Sequence, residues 1–199
     1  MEPNTSRTDP RVVRTRHMLK TALVELLEEM DIDKISVNRI AERATINRVT
    51  FYLHYKDIPD MMEKMADEMI DDFQRILHES PEKAVSKEES DLQLMTRILE
   101  HIADNVKFFK VVLASKRTPI FTERMLRLLT EVVTDKVERQ LDERFFAETG
   151  IRKDIVIWYG ASALIGTIVS WLRKDMPYSP QFLAKQFMLL RTAAERKRK

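Results

Sequence analysis

Cysteine is missing from all 199 positions, which removes disulfide frameworks, thiolate nucleophiles and Cys-based zinc sites in one step. Glycine occurs only three times, and alternating β-branched runs are few, so strands have little support and helix is expected almost throughout. Excess charge is missing too. Charged residues make up 33% of the chain, yet the formal net charge is only +2. No chain-wide field attracts a polyanion, so any nucleic-acid contact has to be local. The N-terminus has no apolar signal segment, which makes the cytoplasm the expected compartment.

Catalytic patterns are equally scarce. His17, His54, His78 and His101 stand apart, with no His-x-x-x-His or Glu-x-x-His pairing to seat a metal. No P-loop or nucleophile elbow occurs, and the carboxylate pairs Asp71-Asp72 and Glu88-Glu89 fall on polar faces or in a linker. The expectation is a protein that is not an enzyme, with no cofactor and no metal.

Against this background one stretch stands out, ISVNRIAERATINRVTFYLHY from Ile35 to Tyr55. Ser36 is a good N-cap, and Val37, Ile40, Ala41 and Ala44 recur at helical spacing. The period breaks at Ala44–Ile46, and Asn47 caps a second helix beginning at Arg48. Val49 and Leu53, four apart, are expected to face the neighbouring helix with Phe51 or Tyr52 beside them. Asn47, Arg48, Thr50 and His54 are then left outside. This division suits a helix-turn-helix, whose second helix needs an apolar seam for docking and hydrogen-bonding side chains for the major groove. The competing reading is an ordinary αα-hairpin.

The run TFYLHY followed by Lys56, with RIAERA before it, resembles the DNA-binding domain of the TetR/AcrR family of bacterial transcriptional regulators. Three positions depart from the usual pattern. Thr45 and Val49 stand where the family commonly has glycine, and Ile58 stands where a phosphate-binding lysine is common. Phosphate binding is therefore expected to rest more on Lys56, His54 and the arginines of the N-terminal arm.

Before the motif, Met1 to Thr8 reads as a polar, unstructured arm, and Asp9-Pro10 starts a first helix. That helix carries a core stripe of Leu19, Ala22, Leu23, Leu26, Leu27 and Met30. Arg11, Arg14, Arg16 and Lys20, with Arg7 ahead of them, cluster in its first half, where phosphate contact and plain solvation weigh equally. Beyond the motif a fourth helix carries the stripe Met62, Met65, Met69, Phe73 and Ile76. The polar segment from His78 to Ser90, with Pro81, reads as a linker. Two helices follow, over Leu92–Ile102 and Val106–Ala114. A seventh runs from Thr118-Pro119 to about Thr149 and stops at Gly150. The eighth, Ile155 to Leu172, carries no charge and is apolar nearly all round, which marks a buried helix in preference to a membrane span. Ser179-Pro180 caps the ninth, which ends in the basic tail from Glu195 to Lys199.

The expected architecture is therefore all-α with about nine helices. Residues 1–58 form a three-helix helix-turn-helix DNA-binding domain, and residues 59–199 form a helical domain for ligand sensing and dimerisation. The resemblance implies a ligand-responsive regulator, most simply a repressor, that binds a near-palindromic operator in double-stranded DNA as a homodimer. The candidate DNA-binding residues are Ser36, Arg39, Asn47, Arg48, Val49, Thr50, Tyr52, His54, Tyr55 and Lys56. A small apolar or weakly polar effector is expected among Met65, Met69, Phe73, Phe108, Phe109, Met125 and Trp158, although each could equally be core. The excess apolar surface of the last two helices suggests a subunit interface. Its candidates are Ala163, Gly166, Thr167, Ser170, Leu183, Phe187 and Leu190, and no membrane is involved. The alternative is a helical dimer acting as a ligand sensor or protein-binding co-regulator with weakened operator binding.

Overall fold

The computed structural model describes residues 9–79, 86–115 and 117–196, with side chains described to Arg191. The arm to Thr8, the linker around Pro81 and the last three residues of the basic tail lie outside the described residues. The helices are α1 (Pro10–Glu29), α2 (Val37–Arg43), α3 (Arg48–Tyr52), α4 (Ile58–His78), α5 (Lys87–Asp104), α6 (Val106–Phe109), α7 (Pro119–Gln140), α8 (Glu143–Thr149), α9 (Lys153–Arg173) and α10 (Pro180–Arg196). A 3-10 turn spans Ile32–Lys34 and a π-helical turn spans Lys110–Ala114. No strand occurs among the described residues. The chain divides into two compact units, Met1–Met65 and Ala66–Lys199, with the division inside α4.

In the smaller unit α1 packs on α2 and α2 on α3. Asp9 caps α1 by accepting from Arg11 N at 2.8 Å, and Ser36 Oγ caps α2 by accepting from Arg39 N at 3.3 Å. Asn47 Oδ1 caps α3 by accepting from Val49 N at 2.9 Å. Leu19, Leu23, Leu26 and Leu27 of α1, Ile40 of α2 and Phe51 of α3 are buried. At the far end of α1, Arg43 donates to both carboxylate oxygens of Glu29 at 2.9 and 2.8 Å, tying α2 to α1. That bidentate bond holds the Glu29 carboxyl below its ordinary range.

In the larger unit α7 lies along α9 and α5 along α10, while the π-helical turn contacts α7 and α9. Gly160 lets α9 approach closely, since a Cβ there would stand 3.1 Å from Val133 Cγ1. Thr118, buried ahead of α7, donates its hydroxyl to Val112 O at 3.2 Å and so satisfies a carbonyl of the π-helical turn. Asp91 joins three helices by accepting from Lys136 Nζ at 2.7 Å and Arg191 Nη1 at 2.5 Å. Burial pushes the Asp91 carboxyl up, but these two cations more than offset it and hold it below its usual range.

Two expectations change. The seventh helix does not run on to Thr149. Leu141 is extended at φ −117°, ψ 123°, and Asp142 Oδ1 accepts from Phe145 N at 2.9 Å, starting α8 afresh. The apolar spacing through Val137 and Leu141 conceals this break. The eighth helix, here α9, is not completely buried within the chain. It is long and apolar enough to cross a membrane by length and composition, but only 33% of its apolar window is buried.

Candidate nucleic-acid interface

The turn between α2 and α3 sets the position of the second helix. Thr45 N donates to Glu42 O at 3.0 Å and Ile46 N to Ala41 O at 3.0 Å, the paired bonds of a Schellman ending. Such an ending needs a left-handed residue, and Thr45 takes φ +55°. Glycine adopts this conformation freely, whereas a β-branched side chain is strained by about 1–2 kcal/mol. Thr45→Gly is therefore expected to stabilise the smaller unit by about 1 kcal/mol, since glycine's extra unfolded-state entropy offsets part of the relief. A thermal melt checks this, and a lowered midpoint would mean that the threonine side chain contributes packing that outweighs its strain.

α3 then docks through a different seam from the one the spacing suggested. Phe51 is fully buried and Tyr55 nearly so, with ring centroids 5.6 Å apart. Val49 and Leu53 are 68% and 77% exposed. Both pairs lie four residues apart, and the aromatic pair wins because it buries the larger apolar area. Tyr55 is thus a core residue and cannot present itself to DNA. Its hydroxyl is buried with no hydrogen-bond partner, and burial pushes its pKa up.

The polar candidates are distributed as follows. Asn47, Arg48 and Tyr52 are exposed, and Thr50 is half-buried. Arg48 Nη2 donates to Tyr52 Oη at 3.0 Å, and the guanidinium carbon stands 5.5 Å from the ring centroid. One residue thereby holds the other along the exposed edge of α3. His54 is half-buried, and burial followed by the charge of Arg16 lowers its pKa. Ser36 and Lys56 are exposed.

Arg39 goes elsewhere. Its Nη1 donates to Met30 Sδ at 2.9 Å, in a groove that it lines with Leu26, Met30, Glu42 and Arg43 at the acidic end of α1. It is drawn away from the group on α3. The start of α4 is also dressed with carboxylates. Asp57 Oδ1 accepts from Asp60 N at 2.8 Å, while Asp60 Oδ2 accepts from Lys56 N and Lys64 Nζ, each at 2.9 Å. The sequence reveals the missing lysine at Ile58, but not that Asp57 already fills the helix end a phosphate would use.

In the larger unit the effector candidates are packed side chains. Phe73 and Phe109 are buried with ring centroids 5.6 Å apart, and His101 lies 5.3 Å from Phe73 and 5.7 Å from Phe109. Phe108 bridges Phe109 and Phe121 at 5.2 and 5.9 Å. Met69 and Met125 are buried there, while Met65 is buried but belongs to the smaller unit. Trp158 is 59% exposed, on the outer face of α9, and so does not line an interior site. An open groove along α4 is lined by Glu68, Asp71, Asp72, Arg75 and His78, acidic where an apolar site was expected.

Of the interface candidates, Ala163, Gly166, Ser170 and Leu190 are exposed, and Thr167 and Phe187 are half-buried. Leu183 points the other way, buried with Ala184 in the unit's own core. Sequence spacing missed Tyr159 on α9, 77% exposed, and Leu189 on α10, about half exposed, while Phe182, which the spacing places on the stripe of the last helix, is also about half exposed.

Comparison with known proteins places these features in a family. The TetR-type model described as the transcriptional regulator C-terminal region matches residues 89–192. A curated relative, an uncharacterised HTH-type transcriptional regulator YxbF of Bacillus subtilis (strain 168), is 25% identical over 178 residues. That alignment covers 84% of this chain but only 42% of the relative, so the chain spans about two fifths of that protein's length. Among solved structures, the fatty acid degradation regulator FadR from Bacillus halodurans has the same fold, with a TM-score of 0.66 at 19% identity over 91% of this chain and 94% of that one. FadR from Bacillus subtilis in complex with stearoyl-CoA gives 0.64 at 18% identity, over 87% and 96% of the two chains. A TetR transcriptional regulator from Streptococcus agalactiae 2603V gives 0.66 at 21% identity, over 92% and 96%. With more than half of its length matched by the family model, this chain belongs to the TetR family of transcriptional regulators.

Proposed function

We propose that the protein is a homodimeric, ligand-responsive repressor in which residues 1–58 bind DNA and the remainder senses an effector and dimerises. The observation that carries the DNA-binding reading is the build of α3, with Phe51 buried beneath it and Asn47, Arg48 and Tyr52 exposed on the other side. Arg48 reads guanine O6 and N7, and the Asn47 amide nitrogen remains a donor because its oxygen is taken by the cap. Ser36, His54, Lys56 and the arginines of α1 hold phosphates. Two copies place two α3 helices in successive major grooves, which requires a near-palindromic site.

The effector is apolar in its greater part, because the cluster inside the larger unit is made chiefly of phenylalanine rings and methionines, with His101 beside them. The acyl chain of the stearoyl-CoA bound by one protein of the same fold has that chemistry, while its CoA part is polar and charged. Binding has to part the Phe73–Phe109–Phe108 cluster, and α4, which runs from one unit into the other, carries the consequence to DNA. Effector and operator affinities are then coupled reciprocally by about 1–3 kcal/mol.

The carboxylates at the start of α4 favour one competing reading, a sensor that no longer holds an operator firmly. Selection from a random DNA pool decides between the two. A palindromic consensus is expected, and a pool without enrichment would sink the repressor reading. On the selected site Arg48→Ala should cost about 1–3 kcal/mol and flatten preference at one guanine per half-site. Equal losses on selected and random DNA would instead make Arg48 a phosphate contact.

A further inference from the structure

Val49 and Leu53 expose large aliphatic side chains on a helix whose neighbouring edge carries Arg48 and Tyr52. At about 100° per residue, Arg48 and Tyr52 share one edge of α3, Val49 and Leu53 share the next, and Phe51 anchors the far side. The aliphatic edge therefore faces whatever surface the arginine meets. A helix that offers a guanidinium and two aliphatic groups side by side suits a surface where polar acceptors and isolated methyl groups alternate. In the major groove the C5-methyl of thymine is the apolar group available, and it lies beside the acceptors of neighbouring guanines.

We infer that the exposed Val49–Leu53 edge of α3 reads thymine methyl groups next to the guanine taken by Arg48, so that thymine at a fixed step from that guanine is part of the recognised site. The inference rests on the DNA-binding reading above and adds a specificity element to it. Tyr52 sets the geometry. By holding the guanidinium through a 3.0 Å hydrogen bond it fixes the arginine on the edge beside Val49, so the guanine and thymine steps keep a constant spacing.

The test uses the full-length protein and the operator obtained by selection. Each thymine of a half-site is replaced in turn by deoxyuridine, which keeps every hydrogen-bonding atom and removes only the methyl group. For the parent protein, two neighbouring positions per half-site, one facing Val49 and one facing Leu53, should each weaken binding about fourfold for the methyl lost. Val49→Ala should bind the thymine operator more weakly and lose its sensitivity at the first of these positions. Leu53→Ala should do so at the second. Both residues are exposed, so neither change is expected to lower the melting temperature, and a melt run alongside checks this. Uniform indifference of the parent to deoxyuridine overturns the inference while leaving operator binding intact. Undiminished sensitivity in both variants does the same, and it would assign the edge to a protein partner instead. A pool that yields no operator overturns this inference together with the reading it rests on.

Discussion

Glutamate in place of Gly166 is expected to convert a dimer into a monomer and, through lost bivalency, to lower operator affinity by about 10²–10⁴-fold. The fold of the single chain should survive. Gly166 is exposed on α9, and a Cβ built there meets nothing within 4 Å. Mid-helix glycine is also a poorer helix former than glutamate, so the isolated helix gains slightly. The damage comes from assembly. Along α9, Ile155, Trp158, Tyr159, Ser162, Ala163, Gly166 and Ser170 are exposed at helical spacing and form one stripe, small in its C-terminal half and aromatic in its N-terminal half. On α10, Phe182, Leu189 and Leu190 expose further apolar surface. An exposed stripe of this kind suits an association surface, and the proposed two-fold interface would set Gly166 close to its own symmetry mate. A carboxylate introduced there is buried without a counter-ion in both protomers, which costs several kcal/mol. Sedimentation reads the result. A variant that stays dimeric, or a parent that is already monomeric, removes this face from the dimer.

The sequence made the caps and the helix-turn-helix legible because each depends on a few neighbouring residues. Ser36, Asn47 and Asp9 accept the N–H groups that their positions imply. What it concealed depends on choices between equal spacings. Val49 with Leu53 and Phe51 with Tyr55 are both i, i+4 pairs, and a five-residue helix is too short for periodicity to decide which faces inward. Trp158 presents the same difficulty in reverse. Its apolar side chain suggested an interior site, but its position on α9 falls within the exposed stripe that includes Tyr159 and Gly166. The break at Leu141 was hidden because an apolar residue in register continues the helical pattern, even where the backbone leaves it and Asp142 starts again. The strain at Thr45 was half visible. The family's glycine pointed to a special backbone position, and the left-handed φ at a β-branched residue shows what its absence costs.

Alanine at Phe51 is expected to remove about 3–5 kcal/mol from the smaller unit. At about 0.05–0.15 kcal/mol per residue, a unit of this size holds roughly 3–10 kcal/mol, so the variant should lose from about a third to all of the stability of α1–α3. Phe51 is fully buried, touches the ring of Tyr55 and meets Tyr52 edge-on at 5.5 Å. Truncation leaves a cavity that a helix of five residues cannot close by small shifts. DNA binding should therefore weaken on every sequence, selected or random, in proportion to the unfolded fraction of the smaller unit, while the larger unit keeps its helicity and the dimer persists. Tyr55→Phe provides the opposite case within the same core. It keeps the ring and removes a buried hydroxyl that has no partner, which should stabilise the unit by about 1 kcal/mol. Amide hydrogen exchange across α1–α3 separates the two outcomes by location. Protection retained in Phe51→Ala would show that α3 is held by something other than this aromatic pair. A destabilised Tyr55→Phe would mean that the hydroxyl is satisfied by an ordered water.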